Sequence, residues 1–299
     1  MAFEDKTRCQ MDKNYFNMTE SALIELLDIS SINAKSMLLD LKKTLLPLFF
    51  TGELQERFGP IILSLLKKRE ALRYLCDIHA LDSTLFSHSV EVCVYSGAIV
   101  SAIGAPTFYF YETTLAGLFH DAGKTTIPVE MLKSKKAYLP LEHEIMHKHP
   151  INGAEVINEV YGVENKRVIG GILYHHERLD GKGYPAQIRG ASIPQIAQIV
   201  AIADVFSAAT GGRSFGETLS FGEALREIKA QKNSFNRKLL RIFVKSMRSA
   251  KAGTLCGLRQ IDYGAANQQH DEEPPNYPEN TLVYRSNRNK HPFLFASSY

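Results

Sequence analysis

The feature that most constrains this chain is a short segment in which two adjacent histidines lead directly into a glycine-rich turn. It reads His175-His176-Glu177-Arg178-Leu179-Asp180-Gly181-Lys182-Gly183-Tyr184-Pro185. Adjacent side chains on a helix point in different directions, so both imidazoles can reach one cation only where a helix is ending. The glycines permit positive φ angles and close backbone approach, which favours such an ending. The segment therefore predicts a helix end that holds a metal ligand pair.

Further polar residues follow or interrupt apolar helical stretches. The segment His120-Asp121-Ala122-Gly123-Lys124 follows the apolar residues 115–119, Asp204 lies within the apolar run 199–206, and His88 lies in another apolar stretch. A buried carboxylate is costly unless it is paired, hydrogen-bonded or bound to a metal. A lone buried Asp is explained as well by a backbone or Arg partner. Several such residues together favour a mixed nitrogen and oxygen site, which suits Fe, Mn, Zn or Ni.

Composition limits the possible function classes. The chain has 299 residues and a formal charge of +3, which is too small to predict a DNA-binding or membrane-binding surface. The N-terminus does not have the pattern of a signal peptide, and the apolar run 37–50 is interrupted by charged residues and a proline, so we expect no membrane insertion. The cysteines have neither metal-binding nor redox spacing, which predicts a reduced, cytoplasmic protein.

Hydrophobic periodicity predicts an all-α fold. Helical spacing extends over residues 19–75. Helices are predicted at 82–103, with Asp82 or Ser83 as the N-cap and Gly104 at the end, and at 112–121, 152–161, 164–176, 193–212, 221–229 and 237–248. Ser192 is the expected cap of the helix that Pro194 opens. We predict an N-terminal helical region with a regulatory role at 1–80, a catalytic helical bundle at 81–256, and a poorly ordered polar tail at 257–299.

Other side chains are candidates for binding a phosphate. Lys124 could stabilise a phosphoryl oxyanion, although cations are also common at helix C-termini for electrostatic reasons. Arg213 follows a Gly-Gly break and could pair with phosphoryl oxygens, or be an exposed arginine. Tyr184 could donate its hydroxyl at the rim, or simply pack a loop. The remaining histidines are interpreted as ordinary surface or core residues: His79, His143, His147, His270 and His291.

Taken together, these motifs resemble the HD-GYP family, a branch of the HD phosphohydrolase superfamily that hydrolyses cyclic di-GMP. The resemblance runs from about Ser83 to Lys245 and includes His88-Ser89, His149-Pro150 and Ala203-Asp204-Val205-Phe206 besides the two segments above. It implies an all-helical HD-domain bundle in which Asp121 bridges two ions. The implied metal ligands are His88, His120, Asp121, His149, His175, His176 and Asp204. It also implies that Lys124 lies beside the scissile phosphate and that Arg213 contacts substrate phosphate.

The chain departs from the family pattern at three positions. Thr84 stands where some members have a glutamate that holds a third metal, so a two-metal centre is expected. Ser207 stands where many members have a second aspartate, and Gly216 where a basic residue often follows. The last two changes could weaken or alter substrate preference.

The resemblance implies a phosphodiesterase that opens cyclic di-GMP to linear pGpG, with further hydrolysis to GMP left open. The expected cofactors are two divalent transition-metal ions, Fe or Mn, with Zn or Ni as alternatives. Three other functions stay open: a catalytically weak binding or signalling module, a phosphodiesterase for another cyclic dinucleotide, and a di-iron oxygenase. A dimer or a signalling-protein partner would be compatible with each of them.

Overall fold

The regular structure of this chain is helical throughout the part that can be described. The computed structural model describes residues 36–41, 44, 69–134, 136–161, 165–211, 219–231 and 233–251, and no strand occurs within them. This confirms the all-α prediction. Most of the predicted N-terminal region and the whole predicted tail lie outside the described residues, so the division into three parts stays a prediction.

The helices differ in length and in how deeply they are buried. In chain order they are α1 (Arg69–Leu81), α2 (Ser83–Ile103), α3 (Thr107–Phe119), α4 (Val129–Leu132), α5 (Pro140–His147), α6 (His149–Tyr161), α7 (Lys166–Leu173), α8 (Gln195–Thr210), α9 (Phe221–Ala230) and α10 (Arg237–Lys251). Short 3₁₀ turns at Ala122–Thr126 and Gly190–Ser192 follow α3 and precede α8.

The central helix is α2, and its ends agree with the predicted caps. The Asp82 side chain accepts hydrogen bonds from the backbone N–H groups of Thr84 and Leu85, and Gly104 ends the helix in the left-handed conformation. Its length and apolar composition would suit a membrane span, but 72% of the most apolar window is buried inside the fold. α2 is therefore a core helix of the bundle.

An aromatic cluster fixes α8 against α2 and the C-terminal helices. Phe206 makes edge-on contacts with Tyr95, Phe221 and Phe243, with ring centroids 5.0–5.2 Å apart. Such edge-to-face pairs stabilise a core beyond the area that they bury. The cluster sets the position of α8 relative to α2, and with it the position of Asp204, which lies about half a turn before Phe206.

Several predicted helix ends need correction. The helix predicted at 152–161 begins at His149. Ser192 is not the cap of α8, because it lies in a 3₁₀ turn, and Pro194 occupies the N-cap position without a side-chain hydrogen bond. The helix predicted at 112–121 begins earlier, at Thr107, after Pro106. The helix predicted at 164–176 is shorter and ends at Leu173.

Candidate metal centre

Three groups of side chains converge in the interior of the bundle; two of them share no residue, and the third, His120, Asp121 and His175, overlaps both. The His88 group consists of His88, His120 and Asp204; the His176 group consists of His149, His175 and His176. Within each group, one potential ligand atom per residue lies within 4.8 Å of the others. The structure thus brings together residues from five separate helices or helix ends.

The His88 group joins α2, α8 and the end of α3. His88 Nε2 is 3.1 Å from Asp204 Oδ1 and 3.2 Å from His120 Nε2. His120 is fully buried, and His88 and Asp204 are nearly so. Imidazole nitrogens and a carboxylate oxygen at these separations are donors directed at one point, the arrangement that a divalent cation requires.

The His176 group joins the start of α6 to the turn after α7. His149 Nε2 is 3.4 Å from His175 Nε2, and the rings of His175 and His176 lie 4.1 Å apart between centroids. Because α7 ends at Leu173, both adjacent histidines lie in the following turn. This is the geometry that the adjacency of the two histidines predicts.

Asp121 lies between the two groups, and its two oxygens face different partners. Oδ1 is 3.3 Å from His149 Nε2, while Oδ2 is 3.4 Å from His120 Nε2 and 3.8 Å from His88 Nε2. The carboxylate is 2% exposed. One side chain therefore reaches both groups, as a bridging ligand must.

Three of the histidines are oriented by the backbone of their own turn. The Nδ1 atoms of His120, His149 and His175 lie 2.8, 2.7 and 2.6 Å from the carbonyl oxygens of the residues three positions earlier, Gly117, Met146 and Ile172. A carbonyl only accepts, so Nδ1 carries the proton in each bond. In the neutral ring Nε2 then has the free lone pair, and the Nε2 atoms face the cluster, as metal ligation requires.

His88 is oriented differently, by side chains of two helices. Its Nδ1 lies 2.8 Å from the hydroxyl oxygen of Ser207 on α8, and that hydroxyl donates to Glu91 Oε2 on α2 over 2.6 Å. Ser207 is 1% exposed.

His176 is held by stacking on Tyr184. The two rings are 4.6 Å apart between centroids with an interplanar angle of 23°, and Tyr184 also stacks on His147 of α5, at 4.0 Å and 19°. Tyr184 thus lies between a cluster histidine and an exposed helix. This stacking agrees with the alternative in which Tyr184 packs its loop. It does not test the predicted role of the Tyr184 hydroxyl at the rim.

The glycines of the two motifs allow backbone segments to approach closely. A Cβ atom on Gly123 would overlap the carbonyl oxygen of His149, so only glycine lets the start of α6 lie against the turn after Asp121. A Cβ atom on Gly183 would overlap the carbonyl oxygen of His176. Glu177 Oε1 closes the same loop by accepting the Ala186 N–H over 2.7 Å.

The remaining predicted site residues have different outcomes. Lys124 lies at the cluster, with Nζ 2.7 Å from Asp121 Oδ2. Thr84 is exposed, and its hydroxyl donates to the capping Asp82 over 2.7 Å, so it takes part in the helix cap and not in the metal cluster. Arg213 and Gly216 lie outside the described residues.

Comparison with known proteins places this geometry in a family. Residues 77–239, more than half of the chain, match the family model described as "HD domain". The chain belongs to the HD domain family. This match, together with the names of the relatives below, confirms the HD-GYP resemblance drawn from the motifs.

Curated relatives of this HD domain are named for cyclic dinucleotides. A cyclic di-GMP phosphodiesterase of Pseudomonas aeruginosa is 30% identical over 220 residues, which cover 74% of this chain and 53% of that protein. One of Thermotoga maritima is 32% identical over 65% of this chain and 52% of its own length. A 3′3′-cGAMP-specific phosphodiesterase of Vibrio cholerae is 31% identical over 50% of this chain and 34% of its own length. The chain spans about half the length of the first two relatives.

The charges of the HD domain site are suited to cation binding. Burial opposes ionisation of Asp121 and Asp204, but the neighbouring His120 and, for Asp121, the Lys124 ammonium outweigh it and hold both carboxyl pKa values well below their usual range. Burial lowers the pKa of His149 to about 4 and that of His175 well below its usual value. Burial also opposes a charge on His120, but Asp121 and Asp204 outweigh it and raise the pKa of His120 to about 9. The site therefore presents anionic oxygens and, at His149 and His175, neutral imidazoles, while at His120 an arriving metal ion must displace a proton. Divalent metal binding fits this donor set.

Two residues of the site escaped the sequence analysis. In the sequence Glu91 is an ordinary charged position on α2. Glu91 lies three residues after His88, and Ser207 lies three residues after Asp204, so each pair shares a helix face. This matched spacing is the signal that could have revealed the role of Glu91. His147 was interpreted as a surface residue of a polar helix. It is exposed, as predicted, but it also stacks on Tyr184. No sequence spacing indicates that contact, because the two residues are 37 positions apart in different elements.

Proposed function

We propose that this HD domain is a phosphodiesterase that opens cyclic di-GMP to linear pGpG with two divalent transition-metal ions, Fe(II) or Mn(II), bound by the His88 and His176 groups. The observation that carries the proposal is the position of Asp121, whose two oxygens face different groups. Two ligand sets that share a carboxylate are typical of two-metal phosphoester hydrolysis. The names of the curated relatives support the same reaction.

Ions held there would neutralise charge on the phosphoryl oxygens and lower the pKa of an attacking water. Asp121 fixes the spacing of the two groups, and the backbone-bonded histidines keep Nε2 directed inwards. The ammonium group of Lys124 lies 2.7 Å from Asp121 Oδ2, where it can contact a phosphoryl oxygen of the substrate. In the overall reaction the water oxygen bonds to phosphorus, the P–O3′ bond breaks, and the 3′ oxygen takes a proton.

The substrate contacts outside the cluster are part of the proposal. Arg213 would pair with a second phosphate, because guanidinium binds phosphoryl oxygens bidentately. Tyr184 would contribute at the rim, beside His176. Arg213→Ala should then raise KM about tenfold or more without loss of metal, the effect of losing roughly 1.5–3 kcal/mol of charge-assisted binding. Unchanged KM in steady-state kinetics would remove Arg213 from the substrate site.

A second candidate is a phosphodiesterase for another cyclic dinucleotide. The observation that favours it is the similarity to a relative named as specific for 3′3′-cGAMP. Both candidates use the same cluster and differ only in the bases that flank the phosphates.

We also propose that the reaction takes place in the cytoplasm. Cys76 and Cys93 are free thiols in the structure, in agreement with a reducing compartment. Burial raises the pKa of Cys93, which keeps it a protonated core residue.

The deciding experiment is product analysis after metal reconstitution. Protein freed of metal under anaerobic conditions is loaded with Fe(II) or Mn(II) and incubated separately with cyclic di-GMP and 3′3′-cGAMP, and the products are separated by chromatography. We expect a linear dinucleotide from one of them, and none from the Asp121→Ala variant. Binding of nucleotide without turnover would instead identify a signalling module. Oxygen consumption without phosphodiester cleavage would identify a di-iron oxygenase.

A further inference from the structure

The hydrogen-bond chain behind His88 has a defined direction. An ionised glutamate only accepts hydrogen bonds, and glutamates are ordinarily ionised near neutral pH. The Ser207 hydroxyl has one proton, and at 2.6 Å it donates this proton to Glu91 Oε2. The serine oxygen is then left with its lone pairs for His88 Nδ1, 2.8 Å away. His88 must therefore carry its proton on Nδ1 in this bond.

That direction determines which nitrogen of His88 is available to a metal ion. With Nδ1 protonated, Nε2 has the lone pair, and Nε2 is the atom that lies 3.1 Å from Asp204 Oδ1 and 3.2 Å from His120 Nε2. The chain of bonds thus selects the tautomer that binds metal. The bond from Nδ1 to Ser207 also restrains the plane of the ring, because it ties the His88 ring on α2 to a side chain on the neighbouring α8.

We propose that Glu91 and Ser207 are positioning residues that set the affinity of the His88 group for its metal ion. The carboxylate acts on the histidine through the hydroxyl rather than directly. The proposal rests on the metal centre of the proposed function but not on the identity of the substrate. Metal affinity tests it, so a failure to hydrolyse cyclic di-GMP would leave it standing.

The contrast with the other histidines makes the proposal specific. His120, His149 and His175 obtain the same tautomer from carbonyl groups of their own turns. Loss of Ser207 should therefore weaken the ion of the His88 group and spare the His176 group. A general loss of folding would weaken both groups together.

The first test is Mn(II) titration of metal-free protein by calorimetry, with bound metal measured after dialysis. Ser207→Ala should weaken one ion about tenfold to a hundredfold, the range found when a partner of a metal-binding histidine is removed. Ser207→Thr retains the hydroxyl and should restore affinity. Ser246→Ala is the matched control, because it also removes a buried hydroxyl, one that donates to the Ile242 carbonyl far from the cluster along the chain. Two ions bound by Ser207→Ala with unchanged affinity would overturn the proposal.

The second test asks whether Glu91 acts through Ser207. Glu91→Gln keeps the size of the side chain and should weaken the binding of the same ion several-fold. Glu112, on α3, is also half-buried, and Glu112→Gln is the control that should leave this binding unchanged. In the double variant Glu91→Gln/Ser207→Ala the effect should equal that of Ser207→Ala alone. Additive effects would show that Glu91 acts by its charge and not through the hydroxyl.

A spectroscopic readout separates positioning from packing. With Zn(II) bound and histidines labelled with ¹⁵N, His88 should show a protonated Nδ1 with slow solvent exchange and a metal-bound Nε2. In Ser207→Ala the Nδ1 proton should exchange faster, while the signals of His149 and His175 stay unchanged. An unchanged His88 signal in that variant would contradict the proposed direction of the chain.

Discussion

The histidines of the metal centre are anchored in two different ways. His120, His149 and His175 each bond to a carbonyl three residues earlier, so the anchor and the ligand belong to one helical turn. His88 and His176 depend instead on side chains outside their own turn: His88 on Ser207, which is 119 positions away on α8, and His176 on Tyr184, which follows later in the same loop. A local anchor forms whenever its turn forms. A side-chain anchor forms only when segments outside that turn are packed correctly, so the second kind is where substitutions can tune the site.

Asp121 should give the largest effect, because it serves both kinds of ligand. In Asp121→Ala we expect the loss of at least about a thousandfold in kcat, equivalent to roughly 4 kcal/mol, together with weaker binding of both ions. Elemental analysis and single-turnover kinetics measure the two losses. If only one ion is lost, the carboxylate serves one group and the bridging role is wrong.

Gly123→Ala should give the next largest effect, because it displaces the locally anchored His149 from outside the turn of that histidine. The added methyl group would overlap the His149 carbonyl, so α6 must shift. Overpacking of this kind costs about 1–3 kcal/mol of unfolding free energy. We expect a lower midpoint of denaturant unfolding and weaker metal binding by the His176 group. Gly104→Ala is a useful comparison, since no atom lies within 4 Å of its added Cβ and only the strain of its positive φ remains. Equal metal loss in both variants would mean that instability alone is responsible.

Tyr184 tests the side-chain anchor of His176. Tyr184→Ala removes the stacking on His176 and should weaken one ion about tenfold, since an aromatic pair contributes roughly 0.5–1.5 kcal/mol beyond area burial. Tyr184→Phe retains the stack and should bind metal normally. A rise in KM for Tyr184→Phe alone would assign the hydroxyl to substrate binding. Normal metal affinity in Tyr184→Ala would mean that His176 needs no support from the ring.

His147→Ala should have the smallest effect. The imidazole is exposed and stacks on the outer face of the Tyr184 ring, so its loss leaves the inner contact with His176 in place. We expect a change in metal affinity of less than about threefold, measured by the same titration. His143→Ala on the same helix is the control. A loss as large as that of Tyr184→Ala would show that α5 takes part in holding His176.

The two kinds of anchor also explain how far the sequence alone could be interpreted. The bounds of α2 were predictable, and so was the ending of a helix near the two adjacent histidines, because caps and glycine turns act over a few residues; α7 nevertheless ends at Leu173 and not at His176. The convergence of His88 with Asp204 followed from the family resemblance and from two polar residues on apolar helices. The bond between Ser207 and Glu91 joins residues 116 positions apart, and periodicity assigns a helix face without identifying the atom opposite it. Ser192 failed as a cap because Pro194 fixes the entry to α8 without one.

The stack of His147, Tyr184 and His176 has a mechanical consequence. None of the residues of α5 is buried, and its last residue lies flat on the Tyr184 ring. Parallel aromatic rings prefer an offset arrangement, so a sideways slide can keep the two rings within the favoured geometry, whereas separating them removes the contact. The stack by itself therefore opposes lifting of α5 from the ring more than a sideways slide. If α5 slides in this way, the Tyr184 ring still covers His176, because the two imidazoles stack on that ring separately.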